Sequence, residues 1–284
     1  MAAQPGAEIS YANPTVLAFY KELPFNLRET AEQHANAIRV RNAVQEFPAL
    51  VPLLGKQTRV IDVGCGTGWL GCGIAHHYGS QVTGIDFNPV AIGRAREIAA
   101  SLGVTAHFEV ADLFLFEPEA LMDVAISMGV LHHTDNCHAA IRRLCSSFIR
   151  PGGHVFIGLY HTYGRKPFLD HFQAMKDKGA SEDEMFAAYA KLHSWNKDEI
   201  HLLSWFRDQV LHPHETQHTL EEMLPLLESE GMRLVSASLN RFQPFRLVEE
   251  LLALERAMEE TGKQRLNEGK YFPGFFAFLA HKED

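Results

Sequence analysis

Three glycines and three acids stand at spacings that serve a nucleoside-like ligand. The stretch "RVIDVGCGTGWLGCGIAHH" (59–77) runs from β-branched apolar residues into Gly64, Gly66 and Gly68. Glycine lets the chain turn tightly and omits the Cβ that would hold a ligand away. Where such a loop opens a helix, unpaired N–H groups and the positive helix end favour an anion by about 0.3–1 kcal/mol. An amino-acid carboxylate and a phosphate are equally well served. Gly66, Gly68 and Gly71 also fit the GxGxxG dinucleotide pattern, with Asp86 twenty residues after Gly66. Three acids narrow the choice. Asp62 precedes the loop, where a dinucleotide site more often stays apolar; Asp86 ends the next apolar run, placed to accept both hydroxyls of a ribose; Asp112 ends the one after, placed to accept from an adenine amino group.

A second set suits proton removal. His132 and His133 lie in "GVLHHTDN", and His161 and Tyr163 in "GLYHTYGRKPF", where Arg165 is a candidate substrate contact. Histidine titrates near working pH, which suits a general base; packing or capping at a helix start is the alternative. His212, His214 and His218, with Glu215, fall in "SWFRDQVLHPHETQHT". Pro213 interrupts the helical geometry a metal set would need, and a fourth ligand is wanting. A hydrogen-bonded loop with no metal is expected, with His214 as a substrate contact. Tyr11 and Tyr20, near Phe25 and Asn26, are substrate candidates in an N-terminal segment that closes over the site or simply packs as a terminal helix. Arg207 and Asp208 read as a structural pair, and Trp195 and Trp205 as packing residues.

These residues need elements to hold them. "TRVIDVG" (58–64), "QVTGID" (81–86), "AHFEVAD" (106–112), "MDVAISM" (122–128) and "HVFIGLY" (154–160) read as strands, and helices alternate with them. Asn88, Pro89 and Gly103 supply the cap, first residue and stop of one helix. That alternation argues for a parallel sheet covered on both faces, whose ligands bind beyond the carboxyl ends of the strands. "MRLVSASL" (232–239) and "GFFAFLAHK" (274–282) add two strands. Between the fifth strand and these lie about seventy residues with capping boxes at "SEDE" (181–184) and "TLEE" (219–222), too long for a simple connection. Within them, "KDEIHLLSWFRDQV" puts Ile200, Leu203, Phe206 and Val210 on one face.

Composition excludes some classes. The 284 residues carry a net charge of −9 and no basic cluster, so a broad nucleic-acid surface is not expected. No run approaches the ~20 apolar residues of a membrane span, no signal peptide is legible, and four cysteines without zinc-type spacing fit reduced thiols in a cytoplasmic protein.

"VIDVGCGTG", the acid of "GIDFNP", "VADLF", "DVAISMGVLHH" and "RPGGHVFIG" occur in order, and over residues 58–160 the chain resembles a class I S-adenosylmethionine-dependent methyltransferase. The resemblance implies a seven-stranded sheet whose last strand, here "GFFAFLAHK", is antiparallel. It also implies Gly64 and Gly66, in the loop with Gly68, against the methionine part of the cofactor. Asp62 would support the loop or the ammonium group, and Asp86 the ribose. Phe87 would lie beside the adenine, Asp112 and Leu113 at its edge, and Met128 with its neighbours 127–129 facing the sulfonium. One departure is that 34 residues separate the last two strands, which leaves their pairing open.

The expectation is an α/β protein with a doubly wound, seven-stranded, mostly parallel sheet and an inserted helical cap. Residues 1–45 form an N-terminal helical cover, 46–160 the core, 161–230 the cap, and 231–284 the closing strands with a further helix. The expected activity is in-line transfer of methyl from S-adenosylmethionine to a small-molecule acceptor held between core and cap. The alternatives are a tRNA or protein methyltransferase, an NAD-dependent oxidoreductase, and a non-catalytic S-adenosylmethionine-binding module.

Overall fold

The computed structural model describes residues 13–193, 196 and 198–284; Tyr11 and Trp195 lie outside them. Helices α1 (Pro14–Glu22) and α2 (Ala31–Val40) come first. The core follows: β1 (Arg59–Val63), α3 (Trp69–Tyr78), β2 (Gln81–Asp86), α4 (Pro89–Leu102), β3 (Ala106–Val110), β4 (Met122–Met128), α5 (Cys137–Arg143) and β5 (Ile149–Tyr160). Next are α6 (Thr162–Asp177), α7 (Glu182–Leu192), α8 (Glu199–Val210) and α9 (Leu220–Ser229). β6 (Met232–Ala237), α10 (Val248–Arg256), α11 (Met258–Asn267) and β7 (Phe275–Lys282) close the chain.

The seven strands form one sheet in the order β3-β2-β1-β4-β5-β7-β6. β1 to β5 pair in parallel, while β7 runs antiparallel to both β5 and β6. The inserted α10 and α11 therefore leave β6 and β7 paired, which answers the question their separation raised. Alternate residues feed opposite layers. Ile61, Ala125 and Ile157 enter the layer that α5 and α9 cover, and Val60, Val124, Ile126 and Phe156 enter the opposite one. Strand order reverses between β1 and β4, which opens a crevice at their carboxyl ends.

Local signals explain the helix bounds. Asn88 caps α4 by accepting from the Val90 N–H, Pro89 fills the first position, and Gly103 ends the helix in the left-handed conformation. Capping boxes start α7 at Ser181 and α9 at Thr219, and a third, at Thr30, starts α2. Phe168, Phe172, Met185, Tyr189, Leu202 and Phe206 pack α6, α7 and α8 into a separate small core.

The buried face of α8 differs from the expected one. Phe206 is buried, but Ile200 and Leu203 are 41% and 37% exposed, whereas His201, Leu202, Ser204, Asp208 and Gln209 are buried. The cause is what the helix covers: one side of α8 borders a cavity that His201, Trp205 and Asp208 line, so apolar spacing alone misplaces its inner face. Among the described residues no helix is long and apolar enough to cross a membrane.

Candidate active site

The site grows from the turn between β1 and α3. Gly64 has φ +70°, and a Cβ there would lie 2.4 Å from the Val130 side chain, so only glycine fits. Gly66 has φ +52°, and a Cβ there would meet nothing within 4 Å. Its bare Cα opens onto a cavity of about 730 Å³ at the carboxyl ends of the strands.

Two buried carboxylates brace this turn. Asp62 Oδ2 accepts from the Gly71 N–H at 3.1 Å, in the first turn of α3. Asp86 accepts from the Gly66 N–H at 2.9 Å with one oxygen and from the Asn88 N–H at 2.8 Å with the other. Burial pushes the Asp62 carboxyl up to about 7 and that of Asp86 up to about 6, against the backbone N–H groups that favour ionisation. Each oxygen keeps acceptor capacity toward the cavity. Asp112, at the end of β3, accepts from the Phe114 N–H at 2.9 Å. Asp62, Gly64, Gly66, Asp86, Phe87, Asp112, Leu113 and Met128 all line the cavity; Gly68 instead donates its N–H to the Cys65 carbonyl, leading the chain into α3.

The other wall comes from distant segments. Tyr20 of α1, His133 after β4, and Trp205 and Asp208 of α8 line the same cavity. Tyr20 donates its hydroxyl to Asp208 Oδ1, and Tyr160 donates to Oδ2 at 3.3 Å. His133 carries its proton on Nδ1, which donates to the His214 carbonyl at 2.9 Å. Its Nε2 thus presents a lone pair; it is buried, has no hydrogen-bond partner among the described residues and lies 3.9 Å from Asp208 Oδ1. Burial holds the His133 ring down at about 4, so it is neutral at working pH. The His212 ring lies 3.8 Å from that of His133, centroid to centroid.

His132 takes the opposite tautomer. Its Nδ1 accepts from the Tyr160 N–H at 3.3 Å, leaving the proton on Nε2. It stands behind His133, outside the cavity lining.

Several expected site residues are occupied elsewhere. His161 caps α6: its Nδ1 accepts from the N–H groups of Tyr163 and Gly164, and its Nε2 donates to the buried Glu255 at 2.8 Å. Both ring nitrogens are used, so the expectation that His161 acts on substrate is corrected to a capping role. Tyr163 packs against that ring, away from the cavity. Arg165 was expected to meet substrate, yet it is fully buried and forks onto Glu215 at 2.9 and 2.7 Å. It also donates to the Gln209 carbonyl and covers the Tyr160 ring at 3.8 Å. His214 bonds to the Thr134 carbonyl at 3.1 Å, within a hydrogen-bonded loop rather than at the cavity. Arg207 pairs with Glu22 at 2.6 Å and leaves Asp208 to the two tyrosines, so these neighbours are not a pair. Asp208 lines the cavity although the sequence reading gave it only a structural role; His201, Trp205 and Asp208 recur at helical spacing as a polar and aromatic stripe.

Arg165→Met is expected to destabilise the fold by about 3–5 kcal/mol, because it strands Glu215 in a largely buried place. Thermal unfolding measures this. A variant of unchanged stability with a raised KM would return Arg165 to the substrate.

Comparison with known proteins bears on what this cavity serves. A family model described as a methyltransferase domain matches residues 54–203, more than half of the chain. The ubiquinone biosynthesis O-methyltransferase of Stutzerimonas stutzeri (strain A1501) is 28% identical over 173 residues, covering 57% of this chain and 70% of that protein. The protein of that name from Ralstonia nicotianae is 36% identical over 120 residues, 42% of this chain and 49% of that one. The one from Proteus mirabilis (strain HI4320) is 30% identical over 159 residues, 54% and 63%. The chain thus matches from about half to 70% of the length of these relatives. In fold it is similar to PKMT2 from Rickettsia typhi in complex with AdoHcy, with a TM-score of 0.57 at 16% identity, covering 80% of this chain and 49% of that one. Magnesium protoporphyrin IX methyltransferase from Synechocystis PCC 6803, with bound SAH, gives 0.51 at 16% identity, covering 88% and 84%. The chain belongs to this methyltransferase family, as a class I enzyme dependent on S-adenosylmethionine.

Proposed function

We propose that the enzyme methylates an oxygen atom of a small, largely apolar or aromatic acceptor bound between the core and the α6–α9 cap, with α1 and α2 as a cover. The observation that carries this reading is His133 in the cavity wall, with an Nε2 that has no hydrogen-bond partner among the described residues and a tautomer set by the His214 carbonyl. A neutral imidazole with a free lone pair is the group a hydroxyl acceptor needs. The O-methyltransferase names of the curated relatives support an oxygen acceptor. Four buried thiols fit work in the cytoplasm.

S-adenosylmethionine, when bound, supplies a methyl group on a positively charged sulfur. In this reading the chain does the rest. Asp86 takes the ribose hydroxyls while bracing Gly66, and Asp62 faces the amino-acid ammonium. Asp112 and Leu113 meet the adenine edge, with Phe87 beside the ring. Gly66 leaves the methionine tail the room that a side chain would fill. Met128 and the backbone at 127–129 line the wall on the sulfonium side. Tyr20 and Tyr160 hold Asp208 in place near His133, and His133 accepts the hydroxyl proton. The cap and cover exclude water from this step.

A panel of phenols, catechols, amines and carboxylates, assayed for S-adenosylhomocysteine release, tests the acceptor class. Turnover confined to hydroxyl acceptors is expected; turnover confined to amines or to tRNA would overturn the reading.

The acids impose a pH dependence. A bound ammonium and ribose favour ionised Asp62 and Asp86, whose unliganded carboxyls titrate near 7 and 6. Binding must then expel the protons these groups hold below those values. Cofactor affinity is expected to be full above about pH 7.5 and to fall as pH drops through 7 and then 6, approaching tenfold per unit for each group still protonated. Calorimetry with S-adenosylhomocysteine between pH 5 and 8 checks this; constant affinity would remove both acids from the site.

A further inference from the structure

We propose that His138, His218 and Glu222 bind a divalent transition-metal ion of the zinc class, at a site outside the methyl-transfer cavity. Their ligand atoms lie within 4.8 Å of one another, where the start of α5 meets the loop before α9 and its first turn.

Hydrogen bonding turns both histidines onto one carboxylate oxygen. His138 Nε2 lies 2.5 Å from Glu222 Oε1, and His218 Nδ1 lies 3.2 Å from the same oxygen. On its far side, His218 Nε2 meets the Thr216 hydroxyl at 2.9 Å, an oxygen that can accept its N–H while donating to the His132 carbonyl at 3.1 Å. In that arrangement His218 Nδ1 offers a lone pair beside the carboxylate, and a positive ion between them would take both.

The donor set suits zinc. Two imidazole nitrogens and one carboxylate oxygen are zinc ligands at ~2.0–2.2 Å, which sets ligands of a tetrahedron about 3.3 Å apart. The His218–Glu222 separation already has that value. His138 and Glu222 must part, and His138 must settle at the same spacing from His218; the His138 and Glu222 side chains are 38% and 36% exposed, which leaves them room to adjust. Thr216, holding the far nitrogen of His218, fixes the ring as outer partners of metal-bound histidines do. Water would take the fourth position.

The ion would act on the neighbouring catalytic wall as a brace. The His218 N–H donates to the Tyr160 carbonyl at 2.9 Å and the Thr216 N–H to the His132 carbonyl at 2.8 Å. Metal at this point ties α5, α9 and the 212–218 loop to the segments that carry His133 and Tyr160.

The test uses the full chain without an affinity tag, titrated with Zn²⁺ by calorimetry and with Co²⁺ by visible absorption. One equivalent should bind, with the intense Co²⁺ bands of four-coordination, and Mg²⁺ should not compete. His138→Ala and Glu222→Gln, the latter keeping the helix cap, should weaken Zn²⁺ at least ~100-fold, and Thr216→Val about 10–100-fold. His171→Ala, an exposed histidine elsewhere, should change nothing. Metal-free melting temperatures close to the parent's establish that the variants fold. Failure of the parent to bind one equivalent would overturn the proposal. So would Zn²⁺ binding that survives His138→Ala, or a His218 ring that stays doubly protonated with zinc present.

Discussion

Asp86→Ala is expected to weaken S-adenosylhomocysteine binding by about 100-fold or more. The variant removes the acceptor proposed for both ribose hydroxyls, and hydrogen bonds to a charged group are worth ~1.5–3 kcal/mol each. It also frees the N–H groups of Gly66 and Asn88, so the turn that admits the methionine tail loses its brace. Asp86→Asn should fall between, since the amide keeps one acceptor but not the charge. Calorimetry gives the affinities. A full-strength heat signal from the alanine variant would place the nucleoside elsewhere.

His133→Ala should separate chemistry from binding. General-base catalysis contributes ~100- to 10,000-fold, so kcat is expected to fall at least ~100-fold while S-adenosylhomocysteine affinity stays within about twofold. The geometry makes this selective. His133 lines the cavity, its Nδ1 is tied to the loop carbonyl of His214, and its Nε2 has no hydrogen-bond partner among the described residues. Since burial holds the ring near 4, the rate should not rise with an inflection near 6.5, where a free histidine would titrate. Unchanged turnover in a stably folded variant would assign proton removal to another group or to none.

That the residues proposed for the cofactor share one cavity was legible because they are local. Gly64, Gly66, Asp62 and Asp86 all come from β1, β2 and the turn beside them, and strand periodicity places each at the same sheet edge. The acceptor half was not. Tyr20, His133 and Asp208 meet only after segments 188 residues apart in sequence have packed together. His161 and Arg165 had suitable chemistry, but Glu255 and Glu215, 94 and 50 residues away, already take their polar atoms. Residue type reveals what a group can do, and only the fold reveals whether it is spoken for. The inner face of α8 follows the same logic, since the helix lines the cavity with His201 and Asp208 and leaves Ile200 exposed.

The most direct measurement is a crystal structure with S-adenosylhomocysteine. The ribose hydroxyls are expected on Asp86, the amino group toward Asp62, and the sulfur facing the side of the cavity that holds His133. A nucleoside bound with its ribose turned from Asp86, or with His133 walled off from the sulfur, would contradict the account.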